Sequence, residues 1–328
     1  LRKFEILGPD AEELMDYTLT RNVKKLSVGQ IVYSSMCYEN GSMFDDGTLL
    51  KMSDHGFRWV CGDEYAGEWL KEQAKKKKFN VLVKNSTDQI NNISLQGPNS
   101  RKILEKFIFT PPTQPSISEL QWFRFTICRV KELSGIPLMV SRTGYTGELG
   151  YEIWCHPSDA PAVWDVLMEA GKDEGLIPAG FGALDLLRIE AGLILFGNEF
   201  DGQVDPFEAG VGFTVPLKTK TADFIGKEAL IKRKENPQKK LVGLELVGKE
   251  KANHGDCVHI GRSQVGVVTS GCLSPTLNKN IALCRIDVGH SEIGMNVEVG
   301  KIDGHQKRIP AKVVGFPHYD PQKIRVKS

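Results

Sequence analysis

The sequence predicts an α+β protein whose C-terminal third is a small antiparallel barrel or sandwich. Three observations carry this. Apolar residues alternate with a period of two in many short runs, the mark of half-buried strands. Twice, at residues 4–19 and 90–104, such a run is followed by Gly-Pro, a short polar capping residue and a helical pattern, which suggests a duplicated strand–turn–helix module. From Phe213 onward helical patterning almost ceases and short strands punctuated by glycine take over.

With 328 residues, 41% hydrophobic and 25% charged, the chain has globular composition and length for two or three domains, each able to bury its own core. The formal charge of +1 gives no electrostatic grip on nucleic acid or an anionic membrane. No apolar run reaches the ~18 residues of a membrane span, and no signal peptide opens the chain. Seven cysteines, odd in number and scattered without C-x-x-C or zinc spacing, predict free thiols in a reducing compartment and no metal site.

Taken in order, Phe4–Leu7 reads as a strand, Gly8-Pro9 as a turn, and Asp10 as the cap of a helix Ala11–Leu19. A hairpin follows: Gln30–Tyr38 alternates, Asn40-Gly41 turns, and Met43–Met52 returns. The adjacent carboxylates Asp45 and Asp46 lie on the returning strand, so only one of them can face a given pocket. A strand Phe57–Cys61 precedes a helix whose cationic end is the run Lys75–Lys78, then a strand Asn80–Lys84. Strand Ile90–Gln96 and a helix through Leu104 repeat the first design. Thr110–Pro115 is a proline-rich connector, and Trp122–Val130 and Ile136–Val140 are strands.

The stretch Ser141–Trp154, S-R-T-G-Y-T-G-E-L-G-Y-E-I-W, is the one least explained by a core. Gly144, Gly147 and Gly150 break any helix and permit turns with positive φ and close backbone approach to another molecule. In the strand that follows, Tyr151 and Ile153 share one face, Glu152 and Trp154 the other. Glu152 is then either an edge residue facing water or an acceptor held in a pocket for a ligand's N–H groups.

Asp159–Glu174 and the segment from Gly182 read as helices, with Gly192 as a late breaker. The loop 196–210 is dense in carboxylates, but its spacing does not match an EF-hand, which argues against a metal. After a helix Gly226–Lys234 come strands at Leu241–Leu246, Cys257–Ile260, Gln264–Thr269, Ile281–Ile286, Asn296–Val299 and Ile309–Val314.

Several of these motifs, in this order, resemble the glycine cleavage system T-protein, a tetrahydrofolate-dependent aminomethyltransferase, and its folate-dependent demethylase relatives. They are Asn40-Gly41 through Asp45-Asp46, the stretch Ser141–Trp154, Gly182–Phe200, the helix start Phe224–Leu230, and Thr269-Ser270-Gly271 with Ser274–Leu277. The resemblance implies an α+β fold of three domains in a ring around a central folate cavity, the last an antiparallel β-barrel. We divide it as 1–89, 90–214 and 215–328. It also implies that some tens of residues precede Leu1.

Position by position, the resemblance makes Asp46 the essential aspartate, stabilising positive charge as a secondary amine attacks the one-carbon group. It makes Glu152 the acceptor from the pterin amino group and ring N–H. Tyr33 is a pterin-contacting tyrosine, Tyr145 lies in the adjoining turn, and Arg325 stands near the folate's glutamyl tail, where a guanidinium suits carboxylates. The chain departs from the T-protein pattern at Leu184 (arginine), Gly62 (asparagine) and Leu50 (tyrosine). The expected function is a tetrahydrofolate-dependent one-carbon transferase of the aminomethyltransferase type. Its donor is an aminomethyl group on the lipoyl arm of H-protein, or a small S-, N- or O-methylated metabolite in the demethylase alternative. A folate-binding regulatory protein without turnover is the other class, and the retained Asp46 argues against it. Neither nucleic acid nor a membrane is an expected partner, and the location is cytoplasmic, or the mitochondrial matrix in a eukaryote.

Overall fold

The computed structural model describes residues 1–302 and 307–328. Its first body is an antiparallel sheet of β1 (Arg2–Leu7), β2 (Ile31–Cys37), β3 (Met43–Ser53), β4 (Gly56–Cys61) and β5 (Leu82–Asn85), in the order β2-β3-β4-β1-β5. Helices α1 (Ala11–Thr18) and α2 (Tyr65–Lys77) cover one face, burying Phe4, Ile6, Leu14, Met15, Leu49, Trp59 and Leu70. Asp10 precedes α1 but does not cap it. Its carboxylate accepts instead from the Asn80 backbone N–H at 2.7 Å, tying the turn to the chain before β5.

The second body repeats the plan. Strands β6 (Asn91–Gln96), β7 (Ile108–Phe109), β8 (Phe125–Val130), β9 (Pro137–Ser141) and β10 (Gly150–Cys155) form a sheet in the order β6-β10-β9-β8-β7. Helices α3 (Ser100–Glu105) and α4 (Ala160–Gly171) pack on it over Ile93, Leu95, Leu104, Tyr151, Ile153, Val163 and Leu167. In both sheets the strand that leads through Gly-Pro into a helix pairs antiparallel with the last strand of a meander: β1 with β4, β6 with β10. That shared topology supports the duplication more strongly than the short sequence pattern does.

The uncovered faces of the two sheets meet each other. Ile31, Leu50 and Val60 from the first pack against Phe125, Met139 and Trp154 from the second. Backbone hydrogen bonds from Ile31 to Phe123 (2.9 Å) and from Phe125 to Gly29 (3.0 Å) pin the edge of this contact. Leu50, at the position where T-proteins carry tyrosine, is thus an aliphatic packing residue, 1% exposed.

Helices α5 (Phe181–Glu190) and α6 (Lys227–Glu235) lead to a closed barrel among the described residues: β11 (Lys239–Leu246), β12 (Cys257–Ile260), β13 (Ser263–Ser274), β14 (Lys279–Asp287), β15 (Asn296–Gly300) and β16 (Arg308–Val314). Closure removes the sandwich alternative and leaves no open edge. A third apolar cluster, including Cys37, Met43, Ile189, Phe200, Val204, Leu241 and Leu283, fuses the end of the β2–β3 hairpin, α5 and the barrel. A C-terminal tail with α7 (Ile324–Lys327) returns to the second sheet, where Arg142 bonds the Val326 carbonyl. The seven cysteines are unpaired, and among the described residues no helix is long and apolar enough to cross a membrane.

Lys220 is fully buried where the segment before α6 meets the end of α1. Its ammonium donates to the carbonyls of Asp16, Leu19 (3.0 Å) and Arg21 (2.8 Å) and lies 3.2 Å from the Asp16 carboxylate. Lys220→Met strands that carboxylate and those carbonyls, so unfolding in urea should show a loss of about 3 kcal/mol. A loss under 1 kcal/mol would show that the ammonium is no latch.

Candidate functional site

The pleat sorts the adjacent aspartates. Alternation along β3 places Asp45 with Leu49, toward the helix-covered core, and Asp46 with Thr48 and Leu50, on the face that meets the second sheet. Asp45 is 1% exposed and accepts backbone N–H groups of Asp46 (2.9 Å), Gly62 (3.2 Å) and Asp63 (3.2 Å). It ties β3 to the turn after β4, and a side chain at Gly62 would crowd it, with a Cβ 3.3 Å from Asp45 Oδ1.

Asp46 is half-buried and its Oδ2 accepts from the Tyr33 phenol at 2.5 Å. Burial is the main cause that lifts its carboxyl to about 7, with the Asp45 charge adding and the Tyr33 hydrogen bond opposing. Burial and the Asp46 charge push the Tyr33 phenol well above its usual range, so it stays a proton donor. The Tyr33 ring is held by Phe213, 6.0 Å away between centroids.

Glu152 lies on the facing wall. Register pairs it with Ser141 on β9 and Ser94 on β6, and it shares its face with Trp154, as the alternation predicts. Asn92 donates to its Oε1 at 2.9 Å and the Thr143 hydroxyl donates to its Oε2. Trp154 Nε1 donates to Ser141 Oγ (3.0 Å), which bonds Thr143 (2.8 Å), so a short relay of polar groups fixes the carboxylate. Trp154, on the same face of β10, packs against residues of the first sheet, so Glu152 shares the face turned toward that sheet. Beyond the apolar contact of Leu50 with Trp154, the two walls therefore present Asp46 with Tyr33 and Glu152 with Asn92.

The triple-glycine turn joins β9 to β10. Gly147 has φ +75°, as a left-handed turn requires, whereas Gly144 and Gly150 leave room for the Gln96 side chain. A Cβ on either would meet the Gln96 side chain at 1.9 Å, so the close approach seen here is to the chain's own Gln96, which would have to move. Tyr145, on this turn, donates its hydroxyl to the Ile194 carbonyl and lies close enough to Asp46 and Tyr33 for their charges to act on one another. Arg325 stands apart. It is exposed and pairs with Glu148 of the same turn at 3.3 Å, its guanidinium 5.2 Å from the Tyr319 ring, whose hydroxyl also bonds Glu148. Leu184, where T-proteins carry arginine, is half-buried on α5.

The carboxylate-rich loop after α5 is not solvated at its centre. Glu199 is completely buried and accepts from Arg188 (2.8 Å), the Leu195 N–H (2.9 Å) and Ser270 of the barrel (2.6 Å). Arg188, 1% exposed, also donates to Asp185 and Ser270. This network was not legible from spacing, because its three members lie on a helix, a loop and a barrel strand. Asn92 was legible in principle: Asn92, Ser94 and Gln96 alternate with Ile93 and Leu95, marking a polar face. Two surface clefts, one by His259 and Glu298 on the barrel and one by Met52 and Arg124, lie away from these carboxylates.

The fold is that of a one-carbon transfer enzyme family: residues 1–219 match the glycine cleavage T-protein (GCVT) N-terminal domain and 239–320 the T-protein C-terminal barrel domain, and the chain belongs to this family. Among its relatives is a protein named trimethylamine-oxide aldolase from Ruegeria pomeroyi, 58% identical over all 328 residues. The chain spans only 42% of that relative's length. An aminomethyltransferase of Symbiobacterium thermophilum is 40% identical over 97% of the chain and 84% of its own length. The solved glycine cleavage aminomethyltransferase T from Bartonella henselae superposes with a TM-score of 0.85 at 25% identity, over 98% of this chain and 84% of that one.

Proposed function

We propose that the chain is a tetrahydrofolate-dependent one-carbon transferase of the aminomethyltransferase type, and that residues 1–89, 90–214 and 215–328 are its domains. The observation that carries this is the pair of carboxylates on facing walls, each held by side chains on its own sheet and each with acceptor capacity to spare. Glu152 has about four lone-pair positions, and Asn92 and Thr143 take two of them. The remainder suits a planar ligand edge with two N–H groups, such as the aminopyrimidine of a reduced pterin, so the residues present fit the folate.

Tetrahydrofolate, when bound, supplies the amine nitrogens that accept the one-carbon unit. Glu152 orients it by accepting those N–H groups, and the apolar contact around Leu50 and Trp154 excludes water from one side. Tyr33 and Tyr145 line the approach. Asp46 holds negative charge opposite the nitrogen where positive charge develops, or takes its proton. Arg325, at the outer end of the turn, has a guanidinium able to exchange Glu148 for a glutamyl carboxylate. Glu152→Gln should weaken tetrahydrofolate binding by about 10–100-fold in calorimetry while leaving the melting temperature near that of the parent. Unchanged affinity would remove the assignment.

For the aminomethyl reading, lipoylated H-protein is the partner. Protein incubated with tetrahydrofolate and aminomethylated H-protein should release ammonia above the uncatalysed rate, and no release would refute it. A second reading is favoured by the 58% identity to the trimethylamine-oxide aldolase and by Leu184, which can donate nothing to a folate. Splitting trimethylamine oxide gives dimethylamine and one formaldehyde carbon, and this chain would transfer that carbon to the folate. Its test is whether the chain speeds the loss of free formaldehyde in the presence of tetrahydrofolate.

A further inference from the structure

We propose that Tyr33 is a positioning residue for Asp46, its phenol holding one carboxylate oxygen so that the other stays directed at the one-carbon acceptor and the group stays charged where the enzyme works. The inference rests on the reading of Asp46 as the acid that meets that acceptor. Tyr33 and Asp46 are not cross-strand partners: Tyr33 pairs with Thr48, and Ser35 stands directly opposite Asp46. Ser35 is turned elsewhere, its hydroxyl 2.9 Å from Thr214. A tyrosine is long enough to cover the diagonal between neighbouring strands, and here it ends 2.5 Å from Asp46 Oδ2. Phe213 lies beside its ring, 6.0 Å away between centroids.

The surroundings leave this task to Tyr33. The titratable groups that act with Asp46 are Tyr33 from β2, Asp45 beside it on β3, Cys61 from β4 and Tyr145 from the glycine turn. None of the four is cationic. Asp45 opposes ionisation of Asp46, and the thiol and the second phenol are themselves pushed toward their neutral forms by burial. The Tyr33 hydroxyl is the side-chain donor that favours the carboxylate.

The experiment is an infrared titration of the full chain carrying 13C-carboxyl aspartate, with the Asp46 band assigned as the one missing in Asp46→Asn. Tyr33→Phe keeps the ring and deletes the donor. Its Asp46 band should titrate at higher pH, with about tenfold greater proton affinity, and the acid limb of turnover should move the same way. A band that titrates as in the parent overturns the inference. So does weakened folate binding with an unmoved band, which would make Tyr33 a plain contact residue. Should Tyr33→Phe fail to fold, fluorotyrosine at position 33, a stronger donor, should move the band to lower pH, and an unmoved band there also overturns it. The band needs no substrate. A parent that binds no folate would therefore sink the proposed function while leaving the Tyr33 result readable.

Discussion

Asp46→Asn should yield a protein that unfolds at a higher temperature than the parent at pH 8 and has lost turnover by about 10²–10⁴-fold. Both effects come from one cause. Burial raises the folded carboxyl to about 7, well above its unfolded value of 3.8. Between those values the folded state binds the extra proton. The stability it contributes is therefore full below pH 3.8 and lost as pH rises through 7. Above pH 7 the parent carries a half-buried carboxylate whose desolvation costs on the order of 1 kcal/mol, and the amide does not. The difference in melting temperature should grow from pH 4 to pH 7 and then level off. Tetrahydrofolate binding should persist, because the Glu152 wall is untouched. Undiminished turnover in Asp46→Asn would end the assigned role, and a variant less stable than the parent at pH 8 would contradict the account of its burial.

The second large effect is structural. Glu199→Ala leaves the guanidinium of Arg188 buried without its main counter-charge and removes the acceptor for Ser270 and the Leu195 N–H, a loss of about 3–5 kcal/mol in chemical denaturation. Because Ile194, which accepts from Tyr145, lies beside this network, folate affinity should fall too. Replacing both partners, Arg188→Met with Glu199→Met, should cost less than the sum of the single changes by more than about 1 kcal/mol, since no charge is then left unpaired. Strict additivity would show that the two do not act as a pair.

Local pattern alone carried much of this molecule. Alternation placed Glu152 and Trp154 on one face and split Asp45 from Asp46, and the Asn40-Gly41 turn set the hairpin between Tyr33 and Asp46. Glycine-punctuated strands announced the C-terminal body, whose closure into a barrel needed the pairing of β11 with β16 and of β15 with β12. The cap assigned to Asp10 failed because a carboxylate beside a helix start can satisfy any nearby N–H, and the one at Asn80 is distant in sequence.

What the amino-acid order determined by itself was which side chains share a face, because the period of a strand is a property of its own backbone. Which of two faces becomes a site was decided only by tertiary structure. Asp45 and Asp46 are chemically identical neighbours. One is spent on three backbone N–H groups and the other shares the face that meets the second sheet, because a helix layer covers one face of the strand and a second sheet packs over the other. The same holds for Arg188, Glu199 and Ser270, whose pairing depends on three elements converging, a fact that no local period encodes.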